Sequence, residues 1–248
     1  MIDDRPEPPE IYRGFMLTLH QLPPLDRAPS LSPFCMKVET YLRMANISYE
    51  TVRTLDASNA PKGKLPFIEE DGHRLGDSYF IIEHLKRTRE PALDARMTTT
   101  EHATALAFSR MLDEHLYWAI VHSRWFDERF SSRMIEIFLG ALPADQRSAV
   151  ATMALDALTK TLHAHGLGRH SSDEIVERGK ADISAMVGLL ADRPFMLGED
   201  PTTLDASTYA YLSNLIDVDM DTALRAHAMS YPTLLAYSQR MRSRYFSS

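Results

Sequence analysis

Ser32-Pro33-Phe34-Cys35 has the spacing of a two-cysteine redox motif, with a hydroxyl standing where the first thiol would be. Cys35 is the chain's one cysteine, so a dithiol cycle within the chain is excluded. What remains is a hydroxyl and the unpaired N–H groups of a helix start, a combination that favours an anion such as the thiolate of a bound ligand. Lowering a thiol from about 8.5 to about 6.5 takes about 2.7 kcal/mol of preference for the anion. One charge-assisted hydrogen bond supplies about 1.5 to 3, and a helix terminus about 0.3 to 1 more. The bland alternative is that Ser32 only caps the helix. Cys35, between Phe34 and Met36 and one turn inside, reads either as a buried inert thiol or as the partner of a bound thiol in a mixed disulfide.

Two further stretches suit a peptide-like ligand. Ala60-Pro61-Lys62-Gly63-Lys64-Leu65-Pro66-Phe67-Ile68 leads into a strand, and a cis bond at Leu65-Pro66 would turn the Leu65 N–H and C=O outward to accept an added strand. The competing reading is an ordinary strand entry containing proline. Asp77-Ser78 opens a helix with Phe80 and Ile81, not acids, three residues on. A capping box is therefore incomplete, and the pair is suited to the ammonium and carboxylate of an amino-acid group. Glu114-His115-Leu116-Tyr117-Trp118 and Ser123-Arg124-Trp125 put aromatics and ionisable groups on one long helix. They serve core and inter-domain packing, with one edge free to line an apolar pocket through Tyr117, Trp118 and Trp125. His163 and His165 lie two apart and diverge, with no cysteine nearby, so no metal is expected. Gly166-Leu167-Gly168 lacks the strand and third glycine of a dinucleotide loop.

These residues need elements to hold them. Gly14 to His20 is a short apolar run that predicts a first strand, followed by a proline-marked loop to Leu31. Ser32 and Pro33 are N-cap and first-turn residues, and Phe34, Val38, Tyr41, Leu42 and Ala45 extend a helix to about Met44. Ser48 to Leu55 is a second strand. Leu65 to Glu70 and His73 to Gly76 flank Asp71-Gly72, a hairpin turn. A helix then runs from Tyr79 to about Arg89. This β-α-β, β-β-α order predicts an α/β thioredoxin-like domain with helices on both faces of its sheet. Beyond Pro91 every segment predicts helix. Thr98-x-x-Glu101, Ser171-x-x-Glu174 and Thr202-x-x-Asp205 are N-terminal signatures. Pro143 to His165 is a helix expected to turn Val150, Met153, Ala157, Leu158 and Leu162 inward.

The 248 residues therefore divide into a lead-in at 1–13, a thioredoxin-like domain at 14–90 and an all-helical domain at 98–248, the pattern changing between Thr88 and Thr100. A hydrophobic share of 44% and a charged share of 25% are those of a folded, water-soluble chain. The formal charge of -7, without a Lys/Arg run, argues against a nucleic-acid partner. Cations still outnumber acids from Lys37 to Lys64, which would welcome a small anion locally. A single cysteine and the unremarkable start Met1-Ile2-Asp3-Asp4 predict a cytoplasmic, reducing setting. No apolar run is long enough for a membrane span.

Taken together, the motifs resemble those of cytosolic glutathione S-transferases over nearly the whole chain. Ser32 to Arg43, Ala60 to Ile68 and His115-Leu116-Tyr117-Trp118 are most similar to the branch named for failed-axon-connections and metaxin proteins. The resemblance implies a glutathione S-transferase fold that binds glutathione as co-substrate. It implies backbone contacts at Leu65 beside Pro66, Asp77 and Ser78 on the γ-glutamyl group, Lys64 or Lys62 at the glycyl carboxylate, Ser32 near the sulfur, and a homodimer. Three functions are then open: a detoxifying transferase acting on a small apolar electrophile, a non-catalytic interaction protein of metaxin-like type, and thiol transfer through Cys35. The chain departs from tyrosine-type members, having Leu19-His20-Gln21 and a long loop where they carry a Tyr.

Overall fold

A computed structural model describes residues 17–89 and 92–247. The expected lead-in, and the first strand's start at 14–16, lie outside them. Strands β1 (Leu17–Gln21), β2 (Tyr49–Arg53), β3 (Phe67–Glu70) and β4 (His73–Gly76) form one sheet in the order β2-β1-β3-β4. β2 runs parallel to β1, while β3 is antiparallel to β1 and to β4. The β3–β4 turn has both Asp71 and Gly72 at positive φ, 54° and 75°, which is why this dipeptide closes so tight a hairpin.

Alternation along β1 sends Leu17 and Leu19 to one face. There Val38, Tyr41 and Leu42 of α1 (Pro33–Met44) and Ile81, Ile82 and Leu85 of α2 (Ser78–Arg89) close over them and Ile68 in one core. Both helices thus share a face, which corrects the expectation of helices on both. The segment 54–64 forms turns instead: Asp56 caps Ser58 N at 2.8 Å, and Pro61 and left-handed Gly63 interrupt any helix. On the opposite face His20 stacks on Phe67 at 4.0 Å.

Register sets the position of the loops. Phe67 pairs with both His20 and Gly76, so the end of β1, the start of β3 and the end of β4 lie side by side. Leu65-Pro66 and Asp77-Ser78 therefore emerge at the sheet edge from which the chain leaves β1. The long loop after β1 comes back to its root, because Leu31 N bonds Pro23 O at 2.9 Å and Ser30 Oγ bonds Leu22 O at 3.0 Å. Ser32 begins α1 at this same edge.

The second half is helical throughout. α3 (Thr99–Met111) continues through a π-helical turn, Leu112–Leu116, into α4 (Tyr117–Trp125). Then come α5 (Glu128–Leu139), α6 (Ala144–His165), α7 (Ser172–Leu190), α8 (Thr203–Ile216), α9 (Ala223–Met229) and α10 (Pro232–Tyr245). Thr98 with Glu101 and Ser171 with Glu174 form reciprocal caps. The Asp205 carboxylate accepts from Thr202 N at 2.8 Å and from Met196 N at 2.8 Å, tying α8 to the turn before it.

α8 is the hub, buried from Leu204 to Ile216. It packs on α1 so closely that Met36 of α1 joins the helical core and Ala206 of α8 joins the sheet's core. Asp94, in the linker, accepts from Lys86 Nζ at 2.8 Å and from Thr203 N at 2.8 Å, fastening the halves again. α6 lies at an edge. Its buried line runs through Ala151 and Leu162, so Met153 is 72% exposed and Ala157 faces solvent, against the expected inward stripe.

Candidate active site

Ser32 caps α1: its Oγ accepts from Cys35 N at 3.3 Å, and its hydroxyl also lies within hydrogen-bonding reach of the Cys35 sulfur. Pro33 has no N–H, and Phe34 N has no partner among the described residues, leaving one free donor at the helix start. The approach to Ser32 is held from several sides. Ser32 N donates to the fully buried Ser30 Oγ at 3.3 Å, Asn214 Nδ2 of α8 donates to Ser30 O at 3.2 Å, and Arg124 Nη1 of α4 donates to Leu31 O at 3.3 Å. Ser32 itself is half-buried.

Cys35 is 0% exposed. Burial pushes its thiol up to about 11, against the opposing pull of hydrogen bonds from Leu22, Ser32 and Ser30. It is a neutral core thiol near pH 7.

At the other side of the sheet edge the Leu65-Pro66 bond is cis, with Pro66 buried and Leu65 half-buried. The Leu65 N–H and C=O enter no hydrogen bond among the described residues, which leaves a strand-like edge open. Asp77 sits at φ 83°, a conformation costly for any residue but glycine and tolerated best by Asn and Asp. Its Oδ1 accepts from Tyr79 N at 2.9 Å and from Phe80 N at 3.4 Å, so it does cap α2 without an acid three residues on. Its Oδ2 lies 3.8 Å from Lys62 Nζ, and Lys62 also covers the Phe80 ring at 4.2 Å. Ser78 is buried, and its hydroxyl has no partner among the described residues. Lys64 is exposed and forms no ion pair among them.

Two cations that would have favoured an anion in this region are committed elsewhere. Lys37 is buried against Asp113 at 2.7 Å, and Arg43 is held by Glu39 at 2.9 Å.

An aromatic series starts at Phe34, two residues beyond Ser32. Phe34 meets Tyr117 edge-on at 4.7 Å, Tyr117 meets Trp118 at 5.1 Å, and Trp118 lies 5.2 Å from His165. Burial raises the Tyr117 phenol, which keeps it protonated. Trp125 does not join this series. It packs 5.5 Å from Phe138 in a separate cluster with Ala28, Leu31 and Met134, and so buttresses the loop before Ser32. Among the described residues no group of three His, Cys, Asp or Glu side chains is arranged to hold a metal.

Sequence reasoning passed over Ser30, Arg124 and Asn214 as parts of this arrangement. A signal existed for one: Leu116, Ile120 and Arg124 are spaced four apart, which puts the cation on the buried stripe.

Comparison with known proteins agrees with this architecture. Residues 33–130 match the glutathione S-transferase N-terminal domain, and residues 179–241 the glutathione S-transferase C-terminal domain. The chain is 34% identical over 237 residues to the isoprene-epoxide–glutathione S-transferase of a Rhodococcus species, covering 93% of this chain and 99% of that protein. It is 33% identical to Failed axon connections of Drosophila melanogaster over 93% of this chain, but spans 58% of that protein's length. Human metaxin-2 is 23% identical, with 89% of this chain and 83% of metaxin-2 covered. A solved glutathione S-transferase from Methylobacterium radiotolerans, in complex with glutathione sulfonate, shares the fold at TM-score 0.61 and 18% identity, over 92% and 91% of the two chains. No helix among the described residues is long and apolar enough to cross a membrane. By sequence and by fold, the chain belongs to the glutathione S-transferase family.

Proposed function

We propose that this chain is a glutathione transferase that lays the tripeptide along the sheet edge and passes its sulfur to a small apolar electrophile. The observation that carries this reading is the strand register, which gathers Ser32, the unpaired Leu65 backbone and Asp77-Ser78 at one edge. From β1 to β4 is two strand spacings, about 10 Å, and three extended residues span about 10 Å. Leu65, beside Pro66, then pairs with the cysteinyl unit as an added strand. Asp77 and Ser78 receive the γ-glutamyl group, Lys64 or Lys62 the glycyl carboxylate, and Ser32 gives its proton to the sulfur.

Tyr117 and Trp118 line the electrophile's side. The Rhodococcus relative's name supports an epoxide: the thiolate forms a C–S bond as the C–O bond opens, and the alkoxide takes a proton from water. Holding both reactants together removes the cost of their encounter. The reading includes a homodimer in the cytoplasm, with exposed Tyr79, Phe80 and Leu106 offering an apolar surface to a second copy; Arg110, one turn beyond Leu106, lies 4.6 Å over the Tyr79 ring.

Calorimetric titration with glutathione, followed by conjugation assays on a small epoxide, tests the reading. Binding with turnover supports it. The similarity to Failed axon connections and metaxin-2 favours a second reading, a non-catalytic interaction protein, and absence of binding at millimolar glutathione would select that one. Thiol transfer through Cys35 is disfavoured by that thiol's burial and raised ionisation.

A further inference from the structure

Arg124 is a cation in the core. It is 7% exposed, and its guanidinium donates to Leu31 O at 3.3 Å, Asn214 O at 2.5 Å and Asn214 Oδ1 at 3.3 Å, all uncharged acceptors. Among the described residues no carboxylate pairs with it. The acid within reach of its field is Asp26, which is taken by Arg133 Nη2 at 2.6 Å and by Asp219 N at 2.7 Å. The other ionisable groups around it are Tyr117 on its own helix and Arg133 on α5, while α8 presents the neutral Asn214. Behind it, a void of about 10 Å³ lined by Ile120, Asn214, Leu215 and Leu224 has room for one water at most, not for a counter-ion. Burial draws the guanidinium down to about 10, so it keeps its charge near pH 7.

A buried charge without an opposite partner is unfavourable, and a structural strut needs only the hydrogen bonds, not the charge. Arg124 is tied to the residues that lead into the site: the Leu31 carbonyl it grips belongs to the peptide entering Ser32, and Ser32 is half-buried.

We propose that Arg124 is the fixed positive charge that holds the sulfur of the bound tripeptide as an anion beside Ser32. This rests on the glutathione reading above. Arg124 acts through space, not by contact, and favours the thiolate over the thiol, which carries no charge to attract. It is a positioning and electrostatic residue whose effect appears only when the ligand ionises.

The test is the ultraviolet thiolate absorbance of glutathione bound to the full chain, followed against pH. In wild type the midpoint falls below that of free glutathione. In Arg124→Met it rises by about one pH unit, the expected scale for a unit charge acting over several ångströms of poorly hydrated protein. Arg124→Lys restores most of the shift. Asn214→Ser, which loosens the same anchor but keeps the charge, leaves the midpoint near wild type. If Arg124→Met does not fold, the comparison of Arg124→Lys and Asn214→Ser with wild type decides, because a rise equal to one pH unit in either overturns the proposal. An unchanged midpoint in Arg124→Met overturns it while leaving the glutathione reading intact. Wild type that binds no glutathione overturns both.

Discussion

Ser32 has two separable duties, and substitution can divide them. As an N-cap its loss costs about 1 kcal/mol when replaced by alanine but only a few tenths when replaced by glycine. As a proton donor to sulfur it is lost equally in both. Ser32→Ala is therefore expected to be less stable to urea than Ser32→Gly, while the two lose conjugation together; a Ser32→Gly protein of full activity would reduce Ser32 to a cap. Cys35 gives the converse case. With its thiol raised to about 11 by burial, it is neutral below that pH. A disulfide reagent at about pH 8 should label it no faster than the chain opens, and Cys35→Ala should keep its turnover. Fast labelling of the native chain, or loss of turnover, would restore thiol transfer. At this scale the local signals were readable: Ser32-Pro33 as a helix start, Leu65-Pro66 as a cis turn. Arg124 was readable only as a cation on a buried stripe, since the sequence cannot tell which Arg on such a stripe ends up with uncharged acceptors alone.

The π-helical turn between α3 and α4 adds a buried ion pair to the joint that α8 and α1 make between the halves. Its widened turn sends consecutive residues to different elements. Asp113 reaches Lys37 of α1 and accepts from Tyr211 of α8 at 3.1 Å, the Glu114 carbonyl lies 3.0 Å from His165 Nε2 of α6, and His115 meets Asp182 of α7 at 2.5 Å. Removing one member of the buried pair should cost about 3 to 5 kcal/mol, because the other is left charged and unpartnered. Asp113→Leu and Lys37→Met are each expected to show this loss in urea unfolding. The double variant Lys37→Met/Asp113→Leu should recover most of it; a double loss equal to the sum of the single ones would contradict the pairing account. The caps at Thr98, Ser171 and Thr202 could be read directly because each is complete within four residues. The π turn and α5 could not: one depends on what the helix meets on three sides, the other on a short amphipathic stretch after Asp127.

Across the whole molecule, the two halves are joined through α1 and α8, and their joint stability should carry a pH signature. His20, against Phe67, and His122, 5.4 Å from Phe126, are both held below the ordinary histidine value, chiefly by burial. The folded chain takes up these protons later than the unfolded chain. Their contribution is therefore present above about 6.5 and is lost as the pH falls through the depressed values. Urea midpoints should decline between about pH 7.5 and 5.5, and less so in His20→Gln/His122→Gln; an equal decline would remove these two groups from the account. The two-domain order was legible because strand and helix periodicities differ over many residues. The sharing of one sheet face by both helices was not, since it turns on the irregular segment 54–64.

A crystal structure with glutathione bound decides whether the tripeptide lies along this edge. The sulfur is expected within hydrogen-bonding distance of Ser32 Oγ, the cysteinyl backbone paired with Leu65, and the γ-glutamyl group at Asp77 and Ser78. Glutathione lying elsewhere, or its sulfur turned away from Ser32, would contradict that placement.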